Sequence, residues 1–116
     1  MANIYTDAGE DFTVDELDAF GTYYVHWGTG AGTAAKTDTT LFTAASEARV
    51  ATTDTQPTSN TLQWVGQITA DAGKTITNAG IFSASSGGTM VVKSDFTGVV
   101  LLTGDKIEFT FQLTFS

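Results

Sequence analysis

Asp105-Lys106-Ile107-Glu108-Phe109-Thr110-Phe111-Gln112-Leu113-Thr114-Phe115-Ser116 decides the fold class. Ile107, Phe109, Phe111, Leu113 and Phe115 share one parity, and Lys106, Glu108, Thr110, Gln112, Thr114 and Ser116 share the other. Successive side chains of a β-strand point to opposite faces, so this segment has one apolar wall and one wettable wall. As a helix it would scatter three phenylalanines around its circumference and bury none of them well. No polar tail follows it, and chain ends fray unless a sheet holds them, which predicts a central strand. The class it implies is mainly β.

The composition agrees. Threonine occurs 22 times and glycine 12 times against one proline, which suits half-buried pleated surfaces joined by turns. A chain of 116 residues forms one domain. There is no cysteine, so packing, oligomerisation or a partner must supply what a disulfide framework would. No apolar run approaches the roughly 20 residues of a membrane span, and no basic, hydrophobic leader opens the chain. Synthesis in the cytoplasm and no membrane contact are therefore expected. Thirteen acidic residues against five basic ones give a net charge of −8, which repels nucleic-acid phosphates. Six of the acids (Asp7, Glu10, Asp11, Asp15, Glu16 and Asp18) lie in the first 20 residues, which hold no lysine or arginine. They form either a solvated face or a docking surface for a basic partner.

Working along the chain, residues 1–20 read as an acidic arm. It has a strand-like start at Ile4 and Tyr5, and one helical turn at Asp15–Phe20 that Gly21 ends. Residues 21–116 read as a single β-sandwich domain. Its first strand is Thr22–Trp27, with Tyr23, Val25 and Trp27 on one face. The Gly28–Thr33 loop lacks the lysine of a phosphate loop and the third glycine of a dinucleotide fingerprint. A cap and a short helical turn are expected at Asp38–Phe42. Glu47–Asp54 reads as a strand with Ala48, Val50 and Thr52 inward and Glu47 and Arg49 outward, and Thr53–Asn60 as a turn around Pro57. Thr61–Thr69 is a strand with Leu62, Trp64, Gly66 and Ile68 on the core side. Thr75–Ala84 is another, covered on both faces. Ser85–Gly88 signals a hairpin into Thr89–Val92, and Phe96 with Val99–Leu102 makes a further strand. Seven or eight short strands with turns between them predict an antiparallel two-sheet sandwich of jelly-roll type.

The chemical inventory is thin. His26 is the one histidine, set between Val25 and Trp27 with no orienting partner in sequence, and it reads as structural. A zinc site drawn from His and Cys has no material here. Asp7, Glu10 and Asp11 lie close together without a calcium-loop pattern. Scattered carboxylates permit a glycosidase pair on composition alone, but a small sandwich has little material for a deep cleft. Trp27, Trp64, Tyr23 and Tyr24 could line a sugar platform, though inward aromatics on strands usually form core. No enzyme activity and no cofactor are expected.

The segment Tyr23–Ser116 resembles small virion structural proteins of tailed bacteriophages. The resemblance rests on Trp27-Gly28-Thr29-Gly30, Asp38-Thr39-Thr40-Leu41, Thr77-Asn78-Ala79-Gly80-Ile81-Phe82, the Ser85-to-Met90 turn and Gly104-Asp105-Lys106-Ile107-Glu108-Phe109-Thr110. It implies a non-catalytic subunit of a symmetric oligomer, with a trimer favoured. The leading expectation is a capsid decoration (cement) protein on the capsid exterior, with the major capsid protein as partner. Ile4, Tyr5, Phe12, Leu17 and Phe20 would be the anchors of its arm. The alternative is a tail-fibre or receptor-binding module that recognises a host surface glycan through Trp27 and the Gly28–Thr33 and Ser85–Gly88 loops.

Overall fold

The structure, a computed structural model, describes residues 2–116. One helix, α1 (Asp7–Ala19), precedes seven strands: β1 (Tyr24–Gly28), β2 (Val50–Ala51), β3 (Thr53–Thr58), β4 (Thr61–Thr69), β5 (Lys74–Phe82), β6 (Met90–Leu101) and β7 (Lys106–Thr114). They form a four-stranded sheet in the order β2-β1-β5-β6 and a three-stranded sheet in the order β3-β4-β7, and every pairing is antiparallel. The expected all-β, two-sheet sandwich is what the chain builds.

The core lies where β1 faces β4. Tyr23, Val25 and Trp27 meet Leu62, Trp64 and Ile68, all buried. The Tyr23 and Trp64 rings are 5.4 Å apart edge to face, and Trp27 meets Phe109 of β7 at 6.2 Å. Such perpendicular pairs match the positive edge of one ring to the negative face of another. Gly66 lies under Val25, and a Cβ there would stand 2.8 Å from Val25 Cγ1, so the glycine lets the two sheets approach. The apolar wall of β7 packs on this core as its alternation predicts.

β5 is buried on both faces from Asn78 to Phe82, as expected. Ala79 and Ile81 point inward, and the 29–49 connection crosses the outer face as a strap. Asn78 ties it down: its Oδ1 accepts from Phe42 N at 3.0 Å and its Nδ2 donates to Phe42 O at 3.1 Å. The strap returns beside the end of β1, with Thr29 N donating to Thr43 O and Gly30 N to Phe42 O. A Cβ at Gly28 would stand 2.5 Å from Phe42 O, which is the physical reason for glycine there.

Several local expectations are corrected. The last strand is an edge, paired only with β4; one apolar face is needed at centre and edge alike, so alternation cannot tell them apart. The arm is a thirteen-residue helix rather than one turn. Thr6 caps it by accepting from Gly9 N, two acids favour its first turn, and Glu10, Val14 and Leu17 recur on its inward face. Ile4 and Tyr5 precede it without strand pairing. No helical turn forms at Asp38–Phe42, where Asn78 holds the backbone in the strap. Thr53–Thr58 is a strand and not a turn; Pro57 is tolerated because β3 is an edge with irregular register between Thr55 and Thr58. The Glu47–Asp54 strand is cut short. The chain changes sheets at Thr52, whose N and Oγ1 both donate to Tyr23 O. The segments around Met90 and Val100 form one twelve-residue strand, with a bulge that absorbs the residues around Gly98.

Candidate functional site

Three groups of side chains could do chemistry: two hold the fold together, and one is a lone buried histidine. Glu47, expected outside, is buried. Its Oε1 accepts from Trp27 Nε1 at 2.7 Å, and its Oε2 accepts from Asp71 N at 3.0 Å and pairs with Lys74. Burial alone would raise its pKa; the donors from Lys74, Trp27 and Asp71 outweigh that and hold it down to about 2. Lys74 is displaced upward, burial being outweighed by its contacts with Glu47 and Asp71. The network staples the chain before β2 to the β4–β5 turn.

The second group is His26. It is buried on the outer face of the four-stranded sheet, lines an open cleft of about 240 Å³ with Leu41, Ala44, Arg49 and Phe82, and its Nε2 is unpaired and shut from water. Arg49 in that cleft lies 3.8 Å over the Phe82 ring and donates from Nη1 to Ala84 O and Gly87 O, so it pins the β5–β6 turn. No carboxylate orients the imidazole, and an unoriented imidazole is a poor base. The third group lies under α1. Burial first, and Asp18 beside it, push the Asp54 carboxyl up, while burial and the two acids push the Tyr23 phenol up. Tyr23 Oη donates to Leu17 O at 2.6 Å, so it is engaged in holding the helix. Among the described residues no three His, Asp or Glu side chains converge as a metal site.

The inward aromatics are core, as is usual for strands, and do not form a sugar platform on the surface. Trp27 and Trp64 are wholly buried and Tyr23 nearly so. Lone exposed aromatics remain, and they belong to the arm.

What the fold leaves uncovered is apolar. Among the described residues the exposed large hydrophobic side chains are Ile4, Tyr5, Phe12, Phe20, Val99, Val100 and Leu102. Four of the five residues read from sequence as arm anchors are in this set. Leu17 is not, because it packs on the core from the inward face of α1. Tyr5 touches Phe115 edge-on at 6.1 Å and Phe20 lies 5.7 Å from Tyr23, whereas Phe12, two residues from both Glu10 and Val14, points away from the sandwich and is 64% exposed. Val99, Val100 and Leu102 were missed. Their signal was in the sequence: Val99-Val100-Leu101-Leu102 is apolar on both parities, so one parity must find cover outside this sheet. Leu101 is buried, and Val100 and Leu102 are about 70% exposed or more.

The two patches lie far apart. β7 starts at Lys106, next to Leu102, and ends at Thr114, next to Phe115 and the α1 end. Nine strand residues put about 30 Å between them. The molecule measures 54 × 26 × 23 Å. The twelve residues of β6 extend about 40 Å, more than either short dimension, so the strands run along the long axis. One apolar patch is therefore near each end.

Comparison with curated proteins gives no match. The sequence profile of one family does match, over residues 12–115, and that family is described as "Podophage GP4 fiber I protein gp80". The match takes in all seven strands and most of α1.

Proposed function

The chain belongs to the podophage GP4 fiber I protein gp80 family, a family of phage virion structural proteins, and from that premise we propose that it serves as a subunit of a virion fibre. It acts by passive contact, as one member of a homo-oligomer, with no catalytic step. The observation that carries this reading is the placement of the exposed apolar side chains: among the described residues the large ones lie on the arm with α1 or at the end of β6, near opposite ends of an elongated body, while the buried Glu47–Lys74 network holds the fold together. Surface apolar clusters of this kind mark contacts with other proteins. Ile4, Tyr5, Phe12 and Phe20 are the contact residues of the α1 end, and Leu17 seats the helix that presents them. Glycan recognition has no support from the buried tryptophans.

Immunogold labelling of intact particles tests the assignment. Label confined to fibres or the tail end is expected. Label spread across the shell would replace the fibre by a capsid decoration protein on the capsid exterior, bound to the major capsid protein.

A further inference from the structure

Resting on the fibre reading, we infer that copies of this chain stack end to end, the β6–β7 tip of one seated on the α1 end of the next. Three observations combine. First, the tip patch (Val99, Val100, Leu102) and the α1 patch (Ile4, Phe12, Phe20) are different surfaces, one carried by a strand end and a turn, the other by a helix. A contact between unlike surfaces is heterologous, and such contacts repeat without limit unless a rotation closes them into a ring. Second, the two patches lie near opposite ends of a 54 Å body, a geometry that propagates a row and opposes closure. Third, charge opposes the pairing of two α1 ends. α1 and its caps carry Asp7, Glu10, Asp11, Asp15, Glu16 and Asp18 with no cation, so two α1 ends repel each other. At the tip the charges are mixed: Glu47 and Asp71 face Lys74, Asp105 accepts from Leu102 N, and Glu108 is exposed on the same face of β7 as Lys106. Lys106, at the start of β7, is exposed with no ion pair among the described residues, so the acidic helix of the next copy meets a cation there that a second α1 end does not offer.

The size of the contact is consistent with a subunit that assembles only at high local concentration. The 26 × 23 Å section covers on the order of 500 Å² per copy, about 1,000 Å² in total, at the lower limit for a specific interface.

Sedimentation velocity on the full chain and two variants tests the inference. Phe12→Ser damages only the α1 end and Val100→Glu only the tip; both side chains are exposed, and unchanged near-ultraviolet dichroism checks the fold. The wild type is expected to form a concentration-dependent series of species without a closed end point. Each variant alone should associate at least about tenfold more weakly. An equimolar mixture should form one-to-one dimers and nothing larger, because only the intact tip of one variant and the intact α1 end of the other remain. A wild type that stays monomeric, a variant that associates like the wild type, or a mixture that stays monomeric overturns the stacking. Labelling of particles is decided separately: fibre label with a monomeric chain sinks the stacking alone, and shell label with a stacking chain sinks the fibre reading alone.

Discussion

The two ends of the molecule both expose apolar side chains but are held in opposite ways. Near the β6–β7 tip, the anchor is electrostatic: Glu47 and Lys74, both nearly excluded from water, bind each other and bring in Trp27 and Asp71. At the α1 end the anchor is mainly apolar. Val14 and Leu17 press onto the core, joined by hydrogen bonds from Tyr23 to Leu17 and from Gln56 to Asp18. The carboxylates differ in sign as well. Glu47 is more stable ionised in the fold than in the unfolded chain, whereas Asp54 beneath α1 is less so. The ends should therefore separate under mutation and under acid.

The largest separation comes from Glu47→Ala. It leaves the Trp27 indole nitrogen buried without its acceptor and the Lys74 ammonium with only Asp71 and Ser46, and breaking a buried pair from one side costs about 3 kcal/mol at the low end of such losses. Thermal unfolding should shift by many degrees, with hydrogen exchange at the β4–β5 turn accelerating most. Acid should produce part of the same effect in the wild type. The folded pKa of Glu47 is about 2 against an ordinary 4.5, so its contribution is complete above about pH 4.5 and disappears as pH falls toward 2. The gap corresponds to roughly 3 kcal/mol. A wild type whose stability is flat between pH 5 and 2.5 would show that the pair does not anchor the tip.

Val14→Ala is the matching break at the other end. Val14 is fully buried, and removing two methyl carbons from a packed site costs about 2 kcal/mol. Because α1 packs chiefly on β3 and β4 among the strands, that loss should appear as local opening. The α1 amides should exchange about tenfold faster or more, while those of β1 and β4 change less. Uniform loss of protection across both sheets would mean that the helix and the sandwich unfold as one unit.

Much of this was legible in the residues. Alternation placed Leu62, Trp64 and Ile68 inward in β4, and the apolar parity of β7 on the core, because one-sided burial leaves a period of two. The acidic background of residues 1–20 set Ile4, Tyr5, Phe12, Leu17 and Phe20 apart, but whether they tuck under the sandwich or reach a neighbour was not legible there. What alternation could not give depends on partners distant in sequence. Glu47 looks like a surface acid until Trp27 and Lys74, 20 and 27 residues away, converge on it. Pro57 looks like a turn until β3 proves to be an edge. The helix was underestimated because its inward face is short and partly polar, so Val14 and Leu17 gave little amphipathic pattern until the sheet beneath supplied the apolar surface.

The smallest and most discriminating change is Asp54→Asn. The Asp54 pKa is raised, chiefly by burial and also by Asp18, so the ionised form that prevails at neutral pH is disfavoured by the fold. The sign is opposite to that of Glu47: protonating Asp54 relieves the fold, so this end should gain stability as pH falls through the folded pKa of Asp54. Asparagine has the same shape and keeps a polar atom 3.1 Å from Thr52 Oγ1, whose one proton is shared between this position and Tyr23 O, but it carries no charge to oppose Asp18. The variant should therefore be more stable than the wild type at pH 7, by less than about 1 kcal/mol for a partly solvated group. The gain should vanish in acid, where the wild type is already protonated. Chemical denaturation of both proteins at pH 7 and near pH 3 measures it. A variant less stable than the wild type at neutral pH would mean that Asp54 holds the helix through its charge, and the contrast between the two ends would fail at that residue.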